Sequence, residues 1–117
     1  MNLLKQLFSA AATDLTAAAA QARLQGANPP YLLDVRQPEE YQAGHIAGAA
    51  LIPLDQLDSR LDELPQGREI VCVCRSGSRS GTAVRRLKSA GFTALNLSGG
   101  MIAWQRAGLP VKKGKAR

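Results

Sequence analysis

The stretch CRSGSRS, from Cys74 to Ser80, follows the apolar run EIVCV and precedes GTAVRRLKSAGF. A thiol kept for packing favours apolar neighbours. This one is set beside a glycine (Gly77), three hydroxyls (Ser76, Ser78, Ser80) and two guanidinium groups (Arg75, Arg79). If the run before it is a strand and the run after it a helix, Cys74 faces the free N–H groups and partial positive charge of a helix start. Those surroundings favour thiolate over thiol, the usual route to a nucleophile or a sulfur carrier. Gly77 permits a sharp turn, and Gly81 lets the helix begin close to a bound anion. The competing reading, a solvated turn, accounts for the small polar residues but not for a thiol and two arginines together.

The other cysteine, Cys72, lies two residues back on the same predicted strand. Alternate strand residues are too far apart for an unstrained disulfide, so the pair reads as two reduced thiols. Further cysteines and histidines for a zinc site are missing, since the sole histidine is His45. Cys72 itself reads as a small core hydrophobe, with a resolving role as the alternative. Cysteine-dependent phosphatases need an arginine six residues after the thiol to grip phosphate. Here that position is Ser80 and the arginine falls one place early, at Arg79. A phosphatase or arsenate reductase is therefore disfavoured, and a shorter ring of donors suits a smaller guest, a terminal sulfur on the cysteine.

The elements that must position this loop alternate between strand and helix. Leu15, Ala18, Ala19 and Ala22 predict an amphipathic helix capped by Thr13 or Asp14 and stopped at Gly26. YLLDV over 31–35 and AALIP over 49–53 read as strands on either side of the polar stretch RQPEEYQAGHIAG. Leu54, Leu57, Leu61 and Leu64 recur at helical spacing, with Asp55 as cap and Pro65-Gln66-Gly67 as the end. EIVCV over 69–73 is the most strand-like segment. Ala83, Val84, Leu87 and Ala90 mark one face of the next helix, stopped by Gly91. TALNL over 93–97 is a further strand, followed by a last helix capped by Ser98 and closed by Gly108. The economical architecture is an α/β domain with a largely parallel sheet sandwiched by helices. In such sheets sites form at the carboxyl ends of strands, where Cys74 falls.

A chain of 117 residues, 45% hydrophobic and 21% charged, fits one ordinary globular domain that needs no disulfide or metal to fold. Lys112, Lys113, Lys115 and Arg117 carry four of the net six positive charges, so the excess reads as a solvated basic tail over 112–117 rather than a nucleic-acid surface. Residues 1–12 read as an N-terminal extension, helical or mobile, whose apolar runs are too short for a signal peptide or a membrane span. Residues 13–111 form the expected domain, and reduced thiols point to the cytoplasm.

Three separate stretches, LLDVRQPEEYQAGHIAGAALIP, the loop from Cys74 to Arg79, and LSGGMIAWQRAGLPV, resemble the signatures of the single-domain rhodaneses, in the family's order and spacing. The resemblance covers about residues 31–111. It implies a rhodanese-like α/β fold with a central, mostly parallel sheet of about five strands flanked by helices on both faces. It also implies a sulfurtransferase without metal or organic cofactor. Cys74 would take the sulfane sulfur of a small anionic donor such as thiosulfate as a persulfide and pass it to a thiophilic acceptor such as cyanide or a thiol. The backbone N–H groups from Arg75 through Ser80 would hold the persulfide charge, and Arg75 and Arg79 would draw in or orient the donor. Asp34 and Arg36 would tie neighbouring loops together. Glu39 and Glu40 would cap or pair within the turn after Pro38, and His45 would serve a hydrogen-bonded structural turn. Gly99, Gly100 and Trp104 would serve close packing, with Trp104 also a possible wall of the site. The rival within the same fold is a sulfur-relay or binding module whose acceptor is a protein.

Overall fold

The computed structural model describes residues 13–116, so the extension expected over 1–12 lies outside the described residues. Five parallel strands form one sheet: β1 (Asp14–Leu15), β2 (Tyr31–Asp34), β3 (Ala50–Leu51), β4 (Ile70–Val73) and β5 (Ala94–Leu97), in spatial order β1-β5-β4-β2-β3. Helices α1 (Ala17–Leu24), α2 (Pro38–Ala43) and α3 (Ser78–Ser89) lie on crossovers between strands, as a parallel sheet requires, and α4 (Gly100–Arg106) follows the last strand. The expected α/β architecture, with its largely parallel sheet, is present.

The central strand shows why the sequence folds this way. All four residues of β4, Ile-Val-Cys-Val, are buried, because a parallel strand is covered on both faces. Strand periodicity then sorts the side chains: Val71 and Val73 join Leu32, Leu97, Met101 and Trp104 in one apolar cluster. Ile70, Cys72 and Cys74 join Leu33, Ile52, Leu57, Ala83, Val84 and Leu87 in the other. Both cysteines thus lie on the face covered by α3.

Several local expectations are corrected. The first helix starts later than Thr13 or Asp14: Asp14–Leu15 pairs with Asn96 and Leu97 as an edge strand, and Thr16 caps α1 by accepting the Ala19 N–H at 3.1 Å. A two-residue strand made by distant pairing leaves no periodic trace in the sequence. The leucine-spaced segment forms two 3₁₀ turns, Leu54–Ser59 and Leu61–Glu63, interrupted at Arg60 with φ −126°. Asp55 caps no helix there; it accepts a 3.4 Å contact from Gln37 Nε2. The last helix is preceded by Gly99 in the left-handed conformation (φ 74°), which displaces Ser98 as cap. The basic segment is tied down by its backbone while its side chains stay exposed. His45 and Lys112 exchange N–H···O bonds of 2.9 and 2.8 Å, and the Gly114 N–H donates to Gln42 O at 3.0 Å. Among the described residues no helix is long and apolar enough to cross a membrane.

Candidate active site

Cys74 follows the last residue of β4, and the chain must turn there to begin α3 at Ser78. Gly77 makes the turn possible, adopting φ 101°, a conformation costly for any residue with a Cβ. The turn folds back on the sulfur. The Gly77 N–H donates to Cys74 Sγ at 3.1 Å, and the Ser80 hydroxyl donates to it at 3.2 Å. Ser80 is fully buried, whereas Arg75, Ser76 and Ser78 are exposed.

Cys72 and Cys74 are equally inaccessible, at 0% and 1% exposure, so exposure does not distinguish the two thiols. Their donors do. For both, burial is the largest single influence and pushes the thiol up. At Cys72 it is joined by repulsion from Cys74, and the thiol is pushed up to about 12. At Cys74 burial is outweighed by the Ser80 hydroxyl and by the N–H groups of Ser80, Gly77 and Ser76, and the net direction is downward. The thiolate stabilisation that folding provides is fully present above the unfolded-state value. It is lost as pH falls through the lower folded value.

The two loop arginines have different fates. Arg79 is held by Glu40 of α2 in a two-pronged ion pair, Nη1 to Oε1 at 2.7 Å and Nη2 to Oε2 at 2.9 Å. The same carboxylate accepts the Gln37 N–H at 3.1 Å, so one side chain closes the start of α2 and grips α3. Hydrogen bonding from Arg79, aided by Gln37, lowers Glu40 to about 2. Its contribution is therefore present above the ordinary 4.5 and lost only as pH falls towards 2. The charge of Arg79, expected to draw in or orient an anionic donor, is thus matched by a carboxylate. Arg75 has no ion-pair partner among the described residues, and it borders a cleft of about 310 Å³ with Glu40, Ala43, Met101, Ile102 and Gln105.

The remaining residues singled out from the sequence frame the loop. Asp34 and Arg36 are both buried. The guanidinium donates to both carboxylate oxygens (Nε to Oδ1 at 3.0 Å and to Oδ2 at 3.2 Å, Nη2 to Oδ2 at 2.8 Å) and also to Gly44 O at 2.8 Å. The pair joins the end of β2 to the turn before His45. That imidazole is stacked on Tyr41, with centroids 3.7 Å apart, and its Nδ1 lies 2.8 Å from Tyr41 O. A carbonyl can only accept, so Nδ1 carries the proton and His45 is engaged in the turn. Trp104 does not wall the site: it is buried against α1 and donates to Pro110 O at 2.8 Å, while Met101, Ile102 and Gln105 face the cleft. Gly81 is displaced from the role expected of it, because a Cβ there would face Asn96 Nδ2 at 3.5 Å rather than the sulfur.

Gly100 holds the loop from below. It has φ 56°, and the next two N–H groups bind the loop's first carbonyls, Met101 N to Cys74 O at 2.9 Å and Ile102 N to Arg75 O at 3.1 Å. A further partner, Asn96 of β5, escaped sequence reasoning: its Nδ2 donates to Gly77 O at 3.1 Å. No pattern around ALNL distinguishes it from an ordinary strand residue.

The profile of the rhodanese-like domain matches residues 16–107, spanning every strand from β2 to β5 and the whole loop. The chain belongs to the rhodanese-like domain family. It is 41% identical over 90 residues to a sulfurtransferase of Allochromatium vinosum, covering 76% of this chain and 84% of that protein. It is 48% identical over 85 residues to an HTH-type transcriptional regulator of Mycobacterium tuberculosis, covering 71% of this chain but 38% of the regulator. The crystal structure of a rhodanese-like domain protein from Staphylococcus aureus superposes with a TM-score of 0.78 at 34% identity, covering 86% of this chain and 98% of that one. Rhodanese-like domains therefore occur both as nearly the whole of a relative and as a minor part of a longer one.

Proposed function

We propose that the protein is a sulfurtransferase in which Cys74 carries the travelling sulfur as a persulfide. One observation carries this reading: a buried sulfur that accepts from the Gly77 N–H and the Ser80 hydroxyl at 3.1 and 3.2 Å, in a loop where donors outweigh burial. The rhodanese-like fold and the relative named a sulfurtransferase support sulfur transfer as the class of reaction. With thiosulfate as donor, the Cys74 thiolate attacks the outer sulfur, a new S–S bond forms, and the bond to the sulfonate breaks, its electron pair leaving with sulfite. The outer sulfur of the Cys74 persulfide is then taken by cyanide as thiocyanate, or by a thiol, and the thiolate is regenerated. Neither half-reaction needs a proton at the sulfur, which leaves His45 without a catalytic task. The terminal charge moves one atom outward in the persulfide, and preorganised donors in the loop meet it without rearranging, a role in which one lost donor raises a barrier by about 3 kcal/mol.

Near-complete burial of Cys74 favours a donor that presents its sulfur end-on, and Arg75 is the cation placed to meet an anionic one. A phosphatase would need an arginine free to grip phosphate, and Arg79 is bound to Glu40. A reactive thiolate with no disulfide partner also suits the reducing cytoplasm.

The test is to incubate the full chain with thiosulfate, remove the excess donor, and determine the intact mass. A gain of one sulfur atom that cyanide removes supports the reading, and an unchanged mass contradicts it. Glu40→Gln offers a check on charge. Gln keeps the capping bond to Gln37 but no longer neutralises Arg79, so KM for thiosulfate should fall by up to about fivefold while kcat holds, matching the 0.2–1 kcal/mol of an exposed ion pair. A rise in KM would mean that the pair orders the loop rather than masking its charge.

A further inference from the structure

We propose that Asn96 is a positioning residue for the Cys74 thiolate: from β5, behind the loop, its side-chain amide holds Gly77 in the left-handed turn that aims the Gly77 N–H at the sulfur. The proposal rests on Cys74 being the reactive sulfur but adds a residue outside the loop to its machinery.

Four observations carry it. Gly77 is bonded through both of its peptide groups, its N–H to Cys74 Sγ at 3.1 Å and its carbonyl to Asn96 Nδ2 at 3.1 Å, so Asn96 and the sulfur grip the same residue from opposite sides. The carbonyl of Gly77 also accepts the Gly81 N–H at 3.0 Å at the start of α3, and the amide steadies the point where turn becomes helix. Packing there is close: a Cβ on Gly77 would meet Gly99 N at 3.3 Å and Asn96 Nδ2 at 3.8 Å. Finally, Asn96 Oδ1 is buried with no hydrogen-bond partner among the described residues. A buried, unpaired acceptor is unfavourable, and an apolar side chain of similar size would avoid it. The donor end explains why an amide serves here, and only this orientation of the amide bonds Gly77, since the reverse would set two oxygens against each other.

Asn96 reaches this position because β5 pairs with β4 in parallel, with Asn96 opposite Cys72. The charged and titratable groups around Cys74 are Arg75 next to it in the loop, Cys72 two residues back, Arg79 on α3 with Glu40 from α2, and Asp34 with Arg36 at the end of β2. Substitution at Asn96 leaves all of them in place, so a change in the behaviour of Cys74 reports the loop's donors.

The test is the pH profile of Cys74 alkylation by iodoacetamide, in the full chain carrying Cys72→Ser, with and without Asn96→Leu. Leucine removes the donor and the orphaned acceptor together and adds no charge. The expected result is a midpoint higher by on the order of one pH unit, and alkylation near neutrality slower by up to about tenfold, with thermal stability unchanged or raised. An amide that only fills space would leave the midpoint unmoved, and an unmoved midpoint overturns the proposal. Asn96→Ala reads the same shift if leucine fails to fit. A reading independent of any variant is the exchange of the Asn96 side-chain amide protons with solvent, expected to be slow; exchange as fast as that of a free amide also overturns the proposal. Alkylation needs no sulfur donor. An unmoved midpoint in a protein that still accepts sulfur from thiosulfate therefore refutes the role of Asn96 alone, whereas failure to accept sulfur refutes the proposed function.

Discussion

Cys74→Ser is expected to leave the chain folded and to abolish sulfur loading from thiosulfate, with turnover reduced by at least about a thousandfold. The substitution changes one atom in a site where burial, the Gly77 N–H and the Ser80 hydroxyl are otherwise kept, so stability should move little. The chemistry is lost for two reasons. A serine hydroxyl stays protonated at any pH the fold survives, and its oxygen cannot hold a sulfane sulfur as a persulfide. Nor is Cys72 able to substitute, because burial pushes its thiol up to about 12 and leaves almost no thiolate near neutrality. Cys72→Ser should accordingly load sulfur as the unaltered chain does. Intact mass after thiosulfate treatment decides between the two cysteines, and loading that survives Cys74→Ser but disappears in Cys72→Ser would reverse their assignment.

Gly100→Ala is expected to have the largest effect on stability. A Cβ at this position would lie 2.4 Å from Cys74 O and 2.5 Å from Arg75 O, both backbone atoms that α4 binds through Met101 and Ile102. The backbone at φ 56° adds its own cost of about 1–2 kcal/mol for a residue with a side chain. Forcing a methyl into a packed site adds about 1–3 kcal/mol. A combined loss of about 2–5 kcal/mol lowers Tm by roughly 10–20 °C in a domain of this size. Because relief of the clash must push the first two loop carbonyls outward, sulfur loading should fall in the fraction that remains folded. Gly48→Ala is the control: Gly48 shares a positive φ of 87° but has nothing within 4 Å of the added carbon, so only the backbone cost should appear. Thermal denaturation of both variants checks the difference, and equal Tm values would show that the Gly100 contact is not a constraint.

The loop that encloses Cys74 was legible in the sequence because its parts are contiguous. Cys74, Gly77 and Ser80 sit within one turn of chain, and the apolar EIVCV before them marks the strand whose end they occupy. The expectations that His45 serves a turn and that Asp34 and Arg36 tie loops together came with the resemblance to the rhodanese signature, and the contacts found there are local, two to eight residues apart. What stayed hidden joins distant segments. Arg79 and Glu40 are 39 residues apart, and nothing in RQPEEY distinguishes the glutamate that reaches the loop from Glu39 beside it. Asn96 and Gly77 are 19 apart, and their contact depends on the register of β4 against β5. The leucine spacing from Leu54 to Leu64 misled because only Leu57 and Leu64 are buried while Leu54 and Leu61 stay partly exposed, and the interruption at Arg60 keeps the segment in short 3₁₀ turns.

The measurement that bears most directly on the central claim is the ultraviolet thiolate absorbance of the Cys72→Ser chain as a function of pH, with Cys74→Ser as the blank. A ring of hydrogen-bond donors that overcomes burial predicts a midpoint below the free-cysteine value of about 8.5. A midpoint at or above that value would contradict it, since burial would then have prevailed over the Gly77 N–H and the Ser80 hydroxyl.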